Sequence, residues 1–231
     1  MTTSRAFTGR AVGVGNLHLT KLPVSPPDLF HRLVRFGLPQ AGLQPEALAW
    51  RYRNWQRLVK PFFRLMAAER LGVAFRFGEL HLTKIYGSGL IVPYGMAGLR
   101  VVTTTGVGFI VDAWQNLVEL EIMRYHGIGT GGAAEGAGNT ALTTELTTEY
   151  TGDVRATGSL TEGASANIFR TVGTNTLDSG TPAITEHGIF SQAATGGGVL
   201  VDRTLFSAIN LNGANGDGLQ STYDHTQVAG S

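Results

Sequence analysis

AITEHGIFSQAATGGGVLVDRTLFSAINL, residues 183–211, reads as two strands joined by a glycine turn. Ile184, Ile189 and Phe190 lead in, and Gly196, Gly197 and Gly198 allow the chain to reverse with positive φ at little steric cost. On the return, Val199, Val201, Arg203 and Leu205 fall on one face and Leu200, Asp202, Thr204 and Phe206 on the other. A period of two with charge in mid-strand suits a sheet with one buried face and one wet or contacting face. Burying Ile189, Phe190, Leu205 and Phe206 contributes roughly 2 kcal/mol each, which makes the hairpin a core nucleus.

The rest of the chain agrees with a β-rich body. Thirty-two glycines, abundant threonine and only 15% charged residues in 231 point to a turn-rich, mainly β protein. With no cysteine, neither disulfides nor Cys-ligated zinc are available. From Gly78 the pattern is strand-like: LHLTKIY, LIVPYG and LRVVTTT form an expected meander with turns at 87–89 and 95–98. A short helix over 106–116, capped by Thr105, and an alternating strand at 118–126 follow. Strands near 155–161, 166–174 and 219–228 complete an expected antiparallel, jelly-roll-like β-sandwich over 78–231.

Net charge divides the chain. Residues 1–77 hold 12 Lys and Arg against 3 Asp and Glu, a net of +9, whereas 78–231 hold 6 against 14, a net of −8. This predicts either a basic N-terminal arm, 1–77, that docks on something acidic while an acidic body faces solvent, or a basic segment that packs on its own acidic domain or on a neighbouring copy. Residues 14–24 give a short strand, and two helices follow, DLFHRLVRF (28–36) and a longer one from Pro45 to Gly72. Pro61 is expected to kink the second. Its Leu48, Tyr52, Trp55, Val59, Phe62 and Met66 recur at helical spacing, with Arg51, Arg53, Arg57, Lys60 and Arg64 spread round the remainder. That spread favours a protein groove over nucleic acid or a membrane surface. Trp50, Trp55, Arg51, Arg57, Phe62 and Phe63 are the candidate partner-binding residues of the arm. The heptapeptide GNLHLTK at 15–21 returns as GELHLTK at 78–84, where the composition changes.

Other motifs point away from catalysis. GIGTGG (127–132) satisfies G-x-G-x-x-G, but AAEGAGN after it does not start the helix that a dinucleotide site requires, so it is read as a flexible surface loop. His126, His187 and His225, with Glu186 and Asp224, lack metal-ligand spacing. The loop at 210–218 has a single carboxylate and reads as a hairpin loop rather than a calcium site. No catalytic, cofactor-binding or metal-binding residue is therefore assigned. The N-terminus lacks a signal-peptide core, which suggests synthesis in a cytoplasm.

RVVTTTGVGFIVDAWQN (100–116), YHGIGTG (125–131), TALTTELTTEY (140–150), the 183–206 hairpin and GDGLQSTYDHT (216–226) together resemble virion structural proteins of tailed bacteriophages, of the capsid-decoration and fibre type. The resemblance covers 78–231 and implies a non-enzymatic β-sandwich. It implies a decoration or cement protein on the capsid exterior that binds the major capsid protein or other virion proteins. The alternative is a tail fibre or receptor-binding module. Strand 199–211 is apolar on both faces, and 219–228, read as an edge, has neither proline nor lysine to protect it. Leu205 and Phe206 are therefore expected to meet copies of the chain, and the resemblance favours a trimer.

Overall fold

The computed structural model describes residues 33–38, 42–70, 76–100 and 102–227. In chain order these hold helix α1 (Pro45–Arg70), strands β1 (Arg76–Ile85) and β2 (Ile91–Arg100), and helix α2 (Thr104–Trp114). Strands β3 (Tyr125–Gly129), β4 (Ala156–Thr157), β5 (Thr161–Glu162), β6 (Ile168–Thr176), β7 (Ala183–Phe190), β8 (Leu200–Asn210) and β9 (Gly218–Gln227) follow. The strand expected at 14–24, the first copy of the heptapeptide, Gly72 and most of the helix at 28–36 lie outside the described residues; Leu33–Gly37 is a π-helical turn.

Alternation decides the architecture. All pairings are antiparallel and form a five-stranded sheet, β2-β1-β9-β6-β5, and a four-stranded sheet, β4-β3-β7-β8. The protein is an antiparallel β-sandwich with few helices. Leu80, Leu82 and Leu219 of one sheet meet Ile128, Ile184 and Phe206 of the other in the main core. The hairpin quoted first folds as β7 and β8, with Ile189 opposite Asp202 and His187 opposite Thr204.

Several expectations change. Residues 91–100 are one strand, because Gly95 and Gly98 lie inside β2 rather than in a turn. Opposite β1, Tyr94 and Ala97 are each left out of the register, so β2 carries two bulges. The N-cap of α2 is Thr103, whose hydroxyl accepts from the Gly106 N–H at 2.9 Å, while Thr105 donates to the Leu200 carbonyl. Instead of a strand at 118–126, Leu120–Ile122 forms a 3-10 turn before β3. Residues 210–218 connect the two sheets and so do not form a hairpin loop.

The largest correction concerns the last strand. β9 is central, hydrogen-bonded to β1 on one side and β6 on the other, so it has no edge to protect. Leu205 and Phe206 are 4% and 1% exposed, buried in the chain's own interior and not available to another copy. The apolar residues of β8 are covered by the chain itself: Phe206, in the core between the sheets, also meets Trp50 of α1, and Val201 packs with Phe109 and Ile110 of α2.

Candidate functional site

The six side chains singled out on α1 fall on opposite sides of it. Trp50, Arg51 and Phe62 are buried within the chain, Trp55 is half-buried, and Arg57 and Phe63 are exposed. The buried face is Ala47, Trp50, Arg51, Asn54, Leu58 and Phe62, about a quarter turn from the stripe the spacing suggested. Pro61 lies within the helix, which continues to Arg70.

Polar residues sit on that buried face because α1 crosses two unfinished sheet edges. β2 ends one sheet and β8 the other, so their outward N–H and C=O groups need partners. Arg51 donates to the Tyr94 carbonyl at 2.7 Å and Asn54 to the Ala97 carbonyl at 2.9 Å, the two bulged residues of β2. On β8, Asn54 accepts from the Ser207 N–H at 2.9 Å, and the Trp50 indole donates to the Ser207 carbonyl. Trp50 also stands edge-on to the Tyr94 ring, 5.3 Å away. Burial lowers the Arg51 pKa. Trp50, Arg51 and Phe62 thus hold the sandwich together and do not reach an external partner.

The body uses its charges in the same way. The Glu186 carboxylate accepts from the N–H groups of Gly131, Thr143 and Thr144 and pairs with Arg203 at 2.7 Å. Arg203 continues to the Ala133 carbonyl and the Thr143 hydroxyl. Together they hold residues 131–144 against the outer face of the second sheet. Arg155 pairs with Glu145 at 2.8 Å, donates to the carbonyls of Gln192 and Gly197, and lies 3.5 Å over the Phe190 ring. Lys84 pairs with Asp217 at 3.3 Å, and Asp217 accepts from Asn212 N–H, which ties the 210–218 connection.

The G-x-G-x-x-G stretch is corrected by the same loop. Gly127 and Gly129 belong to β3 and are buried, and Gly131 just after it is buried too. The first half of the motif is therefore packed strand rather than flexible surface loop, and only Thr130 and Gly132 are exposed. A Cβ on Gly127 would lie 2.8 Å from the Phe190 ring, and one on Gly131 would lie 2.6 Å from Thr143. These glycines let residues 142–146 approach the strand, a need that the spacing alone does not reveal.

His126 and His187, scattered in sequence, meet in the interior. His126 Nδ1 and His187 Nε2 are 3.1 Å apart, and His126 Nε2 is 3.0 Å from the Thr171 hydroxyl. Burial pushes the His126 pKa down to about 3; burial and then the neighbouring His126 push His187 well below its ordinary value. Neutral rings share one proton at each contact, so the row acts as an internal hydrogen-bond chain. Among the described residues, no three His, Asp or Glu side chains group as a metal site, and no helix is long and apolar enough to cross a membrane.

What remains outward-facing is contact surface. On α1, Arg53, Arg57, Lys60 and Arg64 share the solvent strip with Tyr52 and Phe63, so the exposed cations are gathered on one side instead of spread round the helix. On α2 and the segment after it, Val107, Val111, Trp114, Leu117 and Leu120 are exposed. Compared with profiles of known protein families the chain matches none, and a search of curated proteins also gives no match.

Proposed function

We propose that the chain is a non-enzymatic structural protein of a tailed-phage virion, seated on the outside of the head and held there by protein–protein contact. One observation carries this reading. The described body places its buried ionic groups in internal ties, Glu186 with Arg203, Glu145 with Arg155 and Lys84 with Asp217, while large apolar side chains stand outside on both helices. Exposed apolar groups of this kind mark surfaces that bind other proteins. The resemblance of segments 100–116, 125–131, 140–150, 183–206 and 216–226 to decoration and fibre proteins supports the same reading.

In this role the sandwich is a rigid carrier. Arg53, Arg57, Lys60 and Arg64 supply attraction toward an acidic partner such as the major capsid protein, and Phe63 and Tyr52 supply the desolvated contact. Attachment through such a rim weakens with salt, because exposed charges are screened over about 8–10 Å at physiological ionic strength. Peptide quantification on purified particles tests the reading, with a copy number comparable to that of the capsomers expected. Absence from the particle overturns it, and a few copies confined to the tail overturn the placement on the head.

A further inference from the structure

Lys84, Arg155 and Arg203 are each buried against a carboxylate, those of Asp217, Glu145 and Glu186. Arg51 is buried without one. It is 4% exposed, and its guanidinium bonds to carbonyl oxygens: Nε donates to Tyr94 at 2.7 Å and Nη1 to Leu38 at 3.2 Å. Among the described residues no carboxylate pairs with it, and Nη2 has no acceptor. A guanidinium cannot shed its proton, so a buried one is costly until an anion meets it.

Beside Arg51 lies a cavity of ≈ 340 Å³, on the outer face of the five-stranded sheet between the 33–37 turn, α1, β1 and β2. Arg35, Phe36, His81, Thr83 and Pro93 line it together with Arg51. Gly95 lines it too, and a Cβ there would lie 2.5 Å from Arg51 Nη2, so the glycine leaves that nitrogen room. One part of the wall is apolar, Phe36 and Pro93; the rest carries donors. Phe36 stands edge-on to His81 at 5.3 Å, and the Arg35 guanidinium lies 5.4 Å over the Phe36 ring, which brings a second positive charge to the rim. The Glu79 carboxylate contacts His81 at 3.5 Å rather than Arg51.

We infer that this cavity binds a small organic anion. One carboxylate or phosphate head sits beside Arg51, His81 and Thr83, and an apolar body the size of a single ring lies against Phe36 and Pro93. The volume is that of small-molecule sites, and an apolar wall with a few placed donors is how such sites bind. A bare inorganic ion would leave the apolar wall uncovered. Burial closes Arg51 to the surface of another protein, whereas exposed Arg35 and Pro93 mark a mouth that a small molecule can enter. The site faces away from the solvent strip of α1 and does not rest on a virion role.

Isothermal titration calorimetry of the full chain with benzoate and with phenyl phosphate tests it. At least one binds with unit stoichiometry, and the tighter identifies the head group. Benzyl alcohol, which has the ring without the charge, does not bind. His81→Phe with Thr83→Val removes two donors of β1 and weakens binding at least about tenfold, as loss of a hydrogen bond to a charged group does. Thr83→Glu, which tethers a carboxylate inside the cavity, abolishes binding and melts at a higher temperature than Thr83→Gln. These changes leave the bonds of Arg51 to Tyr94 and Leu38 in place, so circular dichroism stays at wild-type values. No binding of either anion, equal binding of benzyl alcohol, or wild-type affinity in the His81/Thr83 variant overturns the inference. A Thr83→Glu variant no more stable than Thr83→Gln overturns the part given to the charge of Arg51. Copy number on particles does not bear on it.

Discussion

Helices α1 and α2 both lie along β8, yet they meet it with different chemistry. α2 offers Gly106, Phe109 and Ile110 to the sheet and settles its start with the Thr103 and Thr105 hydroxyls on the Leu200 carbonyl. α1 offers Trp50, Arg51 and Asn54, whose polar atoms bond to β2 and β8. The difference follows from what each covers. α2 packs on one sheet with mostly apolar side chains. α1 bridges the last strands of both sheets, where backbone groups have no neighbouring strand and an apolar lid would leave them unsatisfied.

The comparison can be broken most severely at Trp50. Trp50→Ala removes packing against Tyr94 and Phe206 and one donor to β8, and a cost of about 3–5 kcal/mol is expected for such a buried aromatic. The urea midpoint should fall accordingly. Removing residues 33–70 should give an aggregating product, since the edges of β2 and β8 would be uncovered. A soluble, cooperative body after that deletion would show that the edges protect themselves.

Asn54→Leu sharpens the contrast, because it keeps volume but leaves the Ala97 carbonyl and Ser207 N–H without these partners. A loss of about 1–3 kcal/mol is expected. On α2, Ile110→Leu is an apolar exchange within an apolar contact, and under about 1.5 kcal/mol is expected. Equal costs would mean that edge closure has no special demand for polarity.

The histidine row gives a third term of comparison, polar groups deep in the body and far from any edge. The folded-state pKa of His126 is depressed to about 3, so between that value and the ordinary 6.5 the unfolded chain binds more protons. Stability from this group is therefore full above about pH 6.5 and is lost as pH falls toward about 3. By this linkage His126 alone accounts for roughly 2 kcal/mol lost between pH 7 and pH 5, and His187 acts in the same direction. Chemical denaturation at both pH values, with His126→Gln as the reference, measures it; an unchanged pH dependence in the variant would remove the assignment. The smallest effect belongs to the other side of α1, where Phe63→Ser should alter monomer stability by no more than about 0.5 kcal/mol.

How far the residues announced this fold depends on which contact is asked about. Hairpin 183–211 is legible because its apolar and polar positions alternate with the pleat, and β6 and β9 follow from the same rule. The inner face of α1 is not, because Arg51 and Asn54 look like solvent residues until the bulged carbonyls of Tyr94 and Ala97 stand opposite them. Pattern reading therefore set the apolar stripe on Tyr52, which is exposed, and passed over Trp50 as part of the core. Arg203 was read as mid-strand charge, but its partner Glu186 lies on the neighbouring strand and the loop they hold comes from 131–144. α2 is half legible: helical spacing groups Val107, Ile110, Val111 and Trp114, but only the fold shows that Ile110 turns into the core while the other three face outward.

The position of β9 has a consequence for synthesis. The final strand fills the gap between β1, made early, and β6, made in mid-chain. Until β9 leaves the ribosome, β1 and β6 display unpaired edges, and the five-stranded sheet cannot close. Such long-range pairing makes folding slow and leaves nascent chains open to strand exchange with one another. Termination before Gly218 would remove the centre of a sheet rather than its margin, so a product lacking β9 would be cleared by proteolysis instead of accumulating as a weaker version of the protein.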